Sequence, residues 1–283
     1  MNRELPADLA RHLAHLLKRT RRRYRKRLDQ CQAHFSVTAV HELRVETRRT
    51  LALLELLTTL HFPGAGNKAR RNLKRRLDVF DELRDTQVAI DLLQPWLERF
   101  PETRELVEFL RRHEKQLRLQ MRRKVRRLKS RRVERMLKQF AQHVGGAGTG
   151  VQPVAAFLRA PLQRSYRRVM ALRRKIQRRD TETIHRTRIA FKKLRYLCEL
   201  LQPLLPGLSA RRLRQMHTWQ TRMGDIQDAE VLLARIERAV KRGEVSVLAV
   251  KRLHAALAKR LVLLVNAFIG AADELEKFEP RFA

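Results

Sequence analysis

Apolar residues recur at intervals of three and four along almost the entire chain, and Leu, Arg, Ala, Lys, Glu and Gln dominate. That period marks one face of a helix, and those residue types favour helix, while the two-residue alternation of a half-buried strand is missing. Three clusters punctuate the pattern: Phe62-Pro63-Gly64-Ala65-Gly66-Asn67, Gly145-Gly146-Ala147-Gly148-Thr149-Gly150 and Pro203-Leu204-Leu205-Pro206-Gly207. Between them the pattern predicts eight helices. Four lie before the central cluster, over residues 6–30, 39–61, 68–96 and 102–144, and four after it, over 154–179, 183–201, 210–241 and 245–278. Helices joined by short connections predict up-and-down bundles. The expected fold is therefore all-α, with a first four-helix bundle over residues 1–144, a Gly-rich linker over 145–152 and a second four-helix bundle over 153–283.

The two halves repeat one another. Val40-His41-Glu42-Leu43-Arg44-Val45-Glu46-Thr47-Arg48-Arg49 returns as Ile184-His185-Arg186-Thr187-Arg188-Ile189-Ala190-Phe191-Lys192-Lys193. Asp81-Glu82-Leu83-Arg84-Asp85 aligns with Gly224-Asp225-Ile226-Gln227-Asp228, and Leu17-Lys18-Arg19-Thr20-Arg21-Arg22-Arg23 aligns loosely with Leu162-Gln163-Arg164-Ser165-Tyr166-Arg167-Arg168. The same elements in the same order identify an internal duplication.

Charge sharpens the picture. Lys and Arg number 64 against 29 Asp and Glu, a net charge of +35. Residues 1–144 hold 36 bases and 17 acids, and the remainder holds 28 and 12, so both halves are basic. Self-repulsion at this charge destabilises the compact state, and a bound polyanion would relieve it. Cys31 and Cys198 have no metal-ligand spacing and read as free thiols of a reducing, cytoplasmic compartment. Residues 261–270 form an apolar stretch too short for a membrane span, so no membrane association is expected.

On a helix, His41, Arg44 and Arg48 fall on one stripe, as do His185, Arg188 and Lys192, which Arg195 extends. Leu43, Thr47, Thr50 and Leu54 occupy the opposite, core-facing side. Ser36 or Thr38 in one copy, and Asp180 or Thr181 in the other, supply the N-cap. Each His thus sits in the first turn, where free N–H groups attract anions, and Arg one turn later can fork onto phosphate oxygens. A first-turn His bonded to a neighbouring acid is the commoner arrangement. Its recurrence with the same bases favours anion binding. Glu82 and Asp85 share a helix face, as do Asp225 and Asp228. They suit either a divalent-cation site beside phosphate or ion pairs that orient the motif arginines. The excess of arginine favours ion pairs, and no resident metal or cofactor is expected.

With these residues, the chain resembles the CHAD family, the conserved-histidine α-helical domain. The resemblance rests on His41-x-x-Arg44-x-x-x-Arg48-Arg49, on His185-x-x-Arg188-x-x-x-Lys192-Lys193-x-Arg195-Tyr196, and on the Leu83-Arg84-Asp85 and Ile226-Gln227-Asp228 segments. It implies two four-helix bundles about a pseudo-twofold axis, a central basic cleft or pore, and binding of inorganic polyphosphate at polyphosphate granules. One departure is Gln227, where the first copy has Arg84. A fused CYTH-type domain would carry a Glu-x-Glu-x-Lys strand, and Glu274-Leu275-Glu276-Lys277 has the wrong spacing, so a stand-alone member is expected. The expected walls of the cleft are His41, Arg44, Arg48 and Arg49 on one side and His185, Arg188, Lys192, Lys193 and Arg195 on the other. Arg22, Arg23, Lys26, Arg164, Arg167 and Arg168 on the first helices extend them.

Two other classes compete. Weak nonspecific RNA or DNA binding accompanies any such charge, but aromatic residues, which stack on single-stranded bases, make up only 6% of the chain. A phosphoanhydride-cleaving enzyme would need clustered carboxylates, a P-loop or an activated His, and neither GxxxxGK[ST] nor HExxH occurs. The expectation is a binding protein and not an enzyme.

Overall fold

The computed structural model describes residues 4–62, 67–147 and 149–280, and the expected break at Pro63–Gly66 lies outside them. Within them the fold is all-α apart from one short strand pair. Helix α1 (Ala7–His34) folds back through Phe35 and Ser36 onto α2 (Val37–Thr59). It buries Leu9, Leu13, Leu16, Tyr24 and Leu28 at helical spacing. Three threonines sit in the buried face of this first pair and its repeat. Thr47 and Thr50 on α2 and Thr187 on α8 (Thr181–Leu201) each donate to the carbonyl four residues back, which satisfies the hydroxyl inside the core.

The expected third and fourth helices are each split in two. Residues 68–96 become α3 (Asn67–Asp78), α4 (Asp81–Leu93) and a 3-10 turn, Gln94–Trp96. Residues 102–144 become α5 (Arg104–Arg126) and α6 (Arg131–Gly145), preceded by a turn at Pro101–Thr103. Carbonyls at a helix end lose their intrahelical partners; here Leu77 and Val125 accept from turn N–H groups of Phe80 and Leu128, and side chains from other helices add further donors at both breaks. Arg44 of α2 donates to the Leu77 carbonyl at the α3–α4 break. Gln32 of α1 donates to the Val125 and Leu128 carbonyls, and Arg76 of α3 to that of Lys129, at the α5–α6 break. Periodicity within one segment carries no trace of these donors. The later half keeps its expected helices: α7 (Val154–Arg173), α8, α9 (Ala210–Lys241), unbroken, and α10 (Val247–Gly270), followed by a 3-10 turn at Ala272–Phe278.

The central Gly-rich cluster is tied down on one side. Thr149–Gly150 pairs as a parallel strand with Leu5–Pro6 at the start of the chain. Two hydrophobic clusters form the interior, and neither follows the boundary between the sequence halves. The larger joins α1, α2 and α6 to α7, α8 and the first part of α9. The smaller joins α4 and the start of α5 to the end of α9 and the start of α10. Cys31 and Cys198 are free and buried, and burial pushes their thiols up to about 11 and about 12.

One sequence expectation about membranes needs correction. Helix α10 is long and apolar enough, by length and composition alone, to cross a membrane. The qualifying stretch is residues 253–270, which takes in Lys259 and Arg260 and is bounded by Lys251 and Arg252, and it exceeds the ten residues counted in the sequence. Val250, Leu253, Leu257, Val265 and Phe268 on it face the core.

Candidate functional site

Helices α2 and α8 carry the two copies of the His-Arg motif and pack against each other. Both begin at expected caps. Ser36 Oγ accepts from the Ala39 N–H at 3.1 Å, and Asp180 Oδ1 accepts from the Glu182 N–H at 3.1 Å. His41 is exposed and is the fifth residue of α2, as His185 is of α8, so each lies just past the first turn where the sequence placed it, because both helices begin two residues earlier than expected. His185 is half-buried, and its Nδ1 lacks a hydrogen-bond partner.

The motif arginines diverge. Arg44 is only 4% exposed. It donates to Asp81 Oδ1 at 3.1 Å and to the Leu77 carbonyl at 3.3 Å, so it joins α2 to the α3–α4 break. Burial pulls its pKa below the ordinary guanidinium value, Arg48 adds to that, and Asp81 opposes it. Arg188, its counterpart, faces α9 at Gly224, where Asp81 has no equivalent carboxylate. A Cβ at Gly224 would lie 3.6 Å from the Arg188 guanidinium. The Arg188 Nε is buried without a hydrogen-bond partner among the described residues. Burial lowers the Arg188 pKa too, with Asp228 opposing and Arg48 reinforcing the shift.

Arg48 on α2 and Arg188, Lys192 and Lys193 on α8 line one cleft of about 210 Å³ between the two helices. Arg48, like Arg188, has a buried Nε with no partner. Lys192 is pushed down to about 7, first by burial and then by Arg48, Arg188, Arg195 and Arg44. Lys193 is exposed and donates to Glu55 Oε1 of α2 at 3.2 Å. Arg49 is exposed, 3.9 Å from the buried Glu46.

Arg195 does not share this cleft. It is 6% exposed, donates to Gln220 Oε1 at 2.8 Å, pairs with Glu199, and stacks over the Tyr196 ring at 4.5 Å. Two turns beyond Arg188, the stripe runs beneath α9, which covers it at Gln220. Of the first-helix residues, Arg22, Arg23, Lys26, Arg164, Arg167 and Arg168 are all exposed. Arg164 and Arg168 line a second cleft that also holds Lys193, whereas Arg23 stabilises the buried Glu46 carboxylate of α2.

The acidic pairs take a different part from the one expected. The ion pair that orients a motif arginine is made by Asp81, one turn before Asp85. Glu82 instead lies 3.0 Å from His113 Nε2. Asp85, Asp225 and Asp228 make no ion pair within 4 Å among the described residues. Partial burial raises the pKa of all three. Asp81 and Asp228 raise Asp85 further, and Arg188 and Arg84 lower Asp228. Among the described residues no group of three or more His, Cys, Asp or Glu side chains is arranged to hold a metal ion. Gln227, in the place of Arg84, has a buried Oε1 without a partner.

Asp81, Gly224, Glu55 and Tyr196 are thus parts of the site that the basic motif does not announce. The aligned pair Asp81 and Gly224 was visible as the first position of the second repeated segment. Its meaning depends on which helix packs over it.

Among the curated proteins, no sequence matches the chain. The fold is similar to the crystal structure of the CHAD domain from the plant Ricinus communis, with a TM-score of 0.76 at 18% identity, over 100% of this chain and 98% of that one. A family model for the CHAD domain matches residues 7–237, which contain both copies of the motif. The chain belongs to the CHAD domain family.

Proposed function

We propose that this protein binds inorganic polyphosphate, without chemical turnover, along a basic track between two duplicated helical bundles, and that it does so on cytoplasmic polyphosphate granules. The observation that carries this reading is the convergence of unpaired cations from both motif copies. The Arg48 and Arg188 Nε donors are buried and unsatisfied, and Lys192 is desolvated among like charges. A buried donor without a partner costs free energy, and crowded guanidinium groups repel. A chain of phosphates answers both, because each oxygen accepts from a fixed donor and each charge displaces counterions. Affinity grows with chain length as further phosphates reach His41, Arg49, His185 and Lys193.

The test is competition. Labelled long polyphosphate is bound near physiological salt, and unlabelled polyphosphate, pyrophosphate, RNA and single-stranded DNA are added at matched phosphate concentration. The expected result is displacement by long polyphosphate alone. Equal displacement by RNA would make this a general nucleic-acid or polyanion binder. Arg48→Glu with Arg188→Glu should weaken binding about a hundredfold, while Arg122→Glu with Arg126→Glu should cost about threefold.

A further inference from the structure

A second cleft, of about 410 Å³, lies between α7, α8 and the end of α2. Its rim carries Arg164, Arg168, Arg186 and Lys193, and its floor is apolar, with Leu172, Ile189 and Leu197. Ile189 is 44% exposed and belongs to neither hydrophobic cluster, so nothing in the fold uses its side chain. Lys193 reaches Glu55 and Arg186 reaches Glu182. Arg164 and Arg168 make no ion pair among the described residues.

The first half of the chain closes the equivalent face. Glu42 stands where the second half has Arg186, Glu46 where it has Ala190, and Arg27 where it has Leu172. Arg27 and Glu42 pair at 2.5 Å. Glu46 is buried beneath Arg49, Arg23, Arg27 and Arg19. Carboxylates neutralise that groove, whereas the α7–α8 groove has lost both acids and gained an apolar floor.

A bare phosphate chain makes little use of this apolar floor, in which Leu172 belongs to the α7–α8 cleft alone and Ile189 and Leu197 line both clefts. A ligand that joins a flat apolar ring to a phosphate chain uses everything present: ring on the floor, phosphates on the arginine rim. The volume falls in the range of small-molecule sites, which combine apolar walls with a few placed polar groups. We propose that the α7–α8 cleft binds a nucleoside polyphosphate, at a site that adjoins the α2–α8 cleft and shares Glu55, Ile189, Lys193 and Leu197 with it, while Arg164, Arg168, Leu172 and Arg186 belong to the α7–α8 cleft alone. At the α2 end the Glu55 carboxylate, already paired with Arg70 and Lys193, and the Thr59 hydroxyl, which donates to the Glu55 carbonyl, keep acceptor lone pairs for the amino group of a base.

The test uses the full chain and a fluorescent N-methylanthraniloyl derivative of ATP, displaced by ATP, tripolyphosphate or adenosine. ATP should displace the probe about tenfold better than tripolyphosphate, and adenosine should fail, because ring and phosphates both contribute. Arg186→Glu should weaken ATP binding about tenfold, the scale of one charge-assisted contact, and change capture of long polyphosphate by less than about threefold. Ile189→Ser should bring ATP down to the level of tripolyphosphate. Both substitutions are at exposed positions, and unchanged thermal melts will confirm the fold. Tripolyphosphate equal to ATP, no saturable probe binding, or ATP affinity untouched by both variants would each overturn the proposal. Failure of polyphosphate capture by the wild-type chain, measured in parallel, would instead strike the reading of the α2–α8 cleft.

Discussion

Arg44 and Arg188 hold the same place in two copies of one motif, yet they have different surroundings. Arg44 is spent inside the fold, on the carboxylate of Asp81 and the Leu77 carbonyl near the end of α3. Arg188 meets Gly224 on an unbroken helix, and its Nε has no partner. The chain break between α3 and α4 and the aspartate after it turn one arginine into a structural tie. The glycine in α9 leaves the other without an ion pair among the described residues. Motif identity therefore does not assign equal surroundings, and under the proposed function the two copies divide structural and binding work.

Removing each arginine separates those roles most sharply. Arg44→Met should cost about 2 kcal/mol in urea unfolding, because it takes the arginine from Asp81 and one of two donors from the Leu77 carbonyl, with half-exposed Asp81 limiting the loss. Arg188→Met should change stability by less than about 1 kcal/mol and instead weaken polyphosphate binding. Equal destabilisation by both would dissolve the contrast.

The reciprocal change comes next. Gly224→Asp places in α9 the carboxylate that the first copy has at Asp81. The space accepts it, since the new Cβ would meet Arg188 at ordinary contact distance. Pairing Arg188 internally should lower polyphosphate affinity about tenfold with little change in fold. Unchanged affinity would mean that Arg188 does not reach the ligand.

Lys192 tests the shared cleft through pH. Its pKa is pulled down to about 7 in the free protein, by burial first and then by four arginines. A bound phosphate chain favours the ammonium and raises that value. Affinity should therefore be flat below pH 7 and fall as pH rises from 7 toward the bound-state pKa, with proton uptake on binding seen by calorimetry in buffers of different ionisation enthalpy. The same shift makes protonated Lys192 a burden on the free fold. Because the folded pKa is depressed below 10.5, that cost grows as pH falls from 10.5 to 7 and is complete below 7. Lys192→Met should thus raise the melting temperature of the free protein at pH 7 by a few degrees, roughly the effect of 1 kcal/mol. It should also remove this part of the pH dependence of binding.

Much of the site was legible beforehand. Ser36 and Asp180 cap the two motif helices, Leu43, Thr47, Thr50 and Leu54 face inward, and His41 and His185 fall one residue past the first turns expected of them, because both helices begin two residues earlier. These are local properties, set by helical spacing and by side chains that reach their own backbone. Arg195 shows where that reasoning stops. It lies on the same stripe as Arg188 and Lys192, but α9 packs over it and turns it into a partner for Gln220 and Glu199. The expected pairing of Glu82 and Asp85 with the arginines failed for a similar reason. A spacing of three puts two acids on one face without saying what stands opposite, and Asp81 stands nearest to Arg44.

By itself, the sequence determined an all-α chain, its main helices, the repeated basic faces and their excess of positive charge, because helix propensity, periodicity and charge are read residue by residue. Tertiary structure alone decided the breaks at 79–80 and 127–130, held by Arg44, Gln32 and Arg76 from other helices. It also decided that each hydrophobic cluster draws on both halves, and that one motif arginine is ion-paired with Asp81 while its counterpart feels Asp228 without an ion pair among the described residues. Those outcomes depend on which surface packs against which, and a buried charge or a freed carbonyl takes its partner from whatever helix is brought within hydrogen-bond reach.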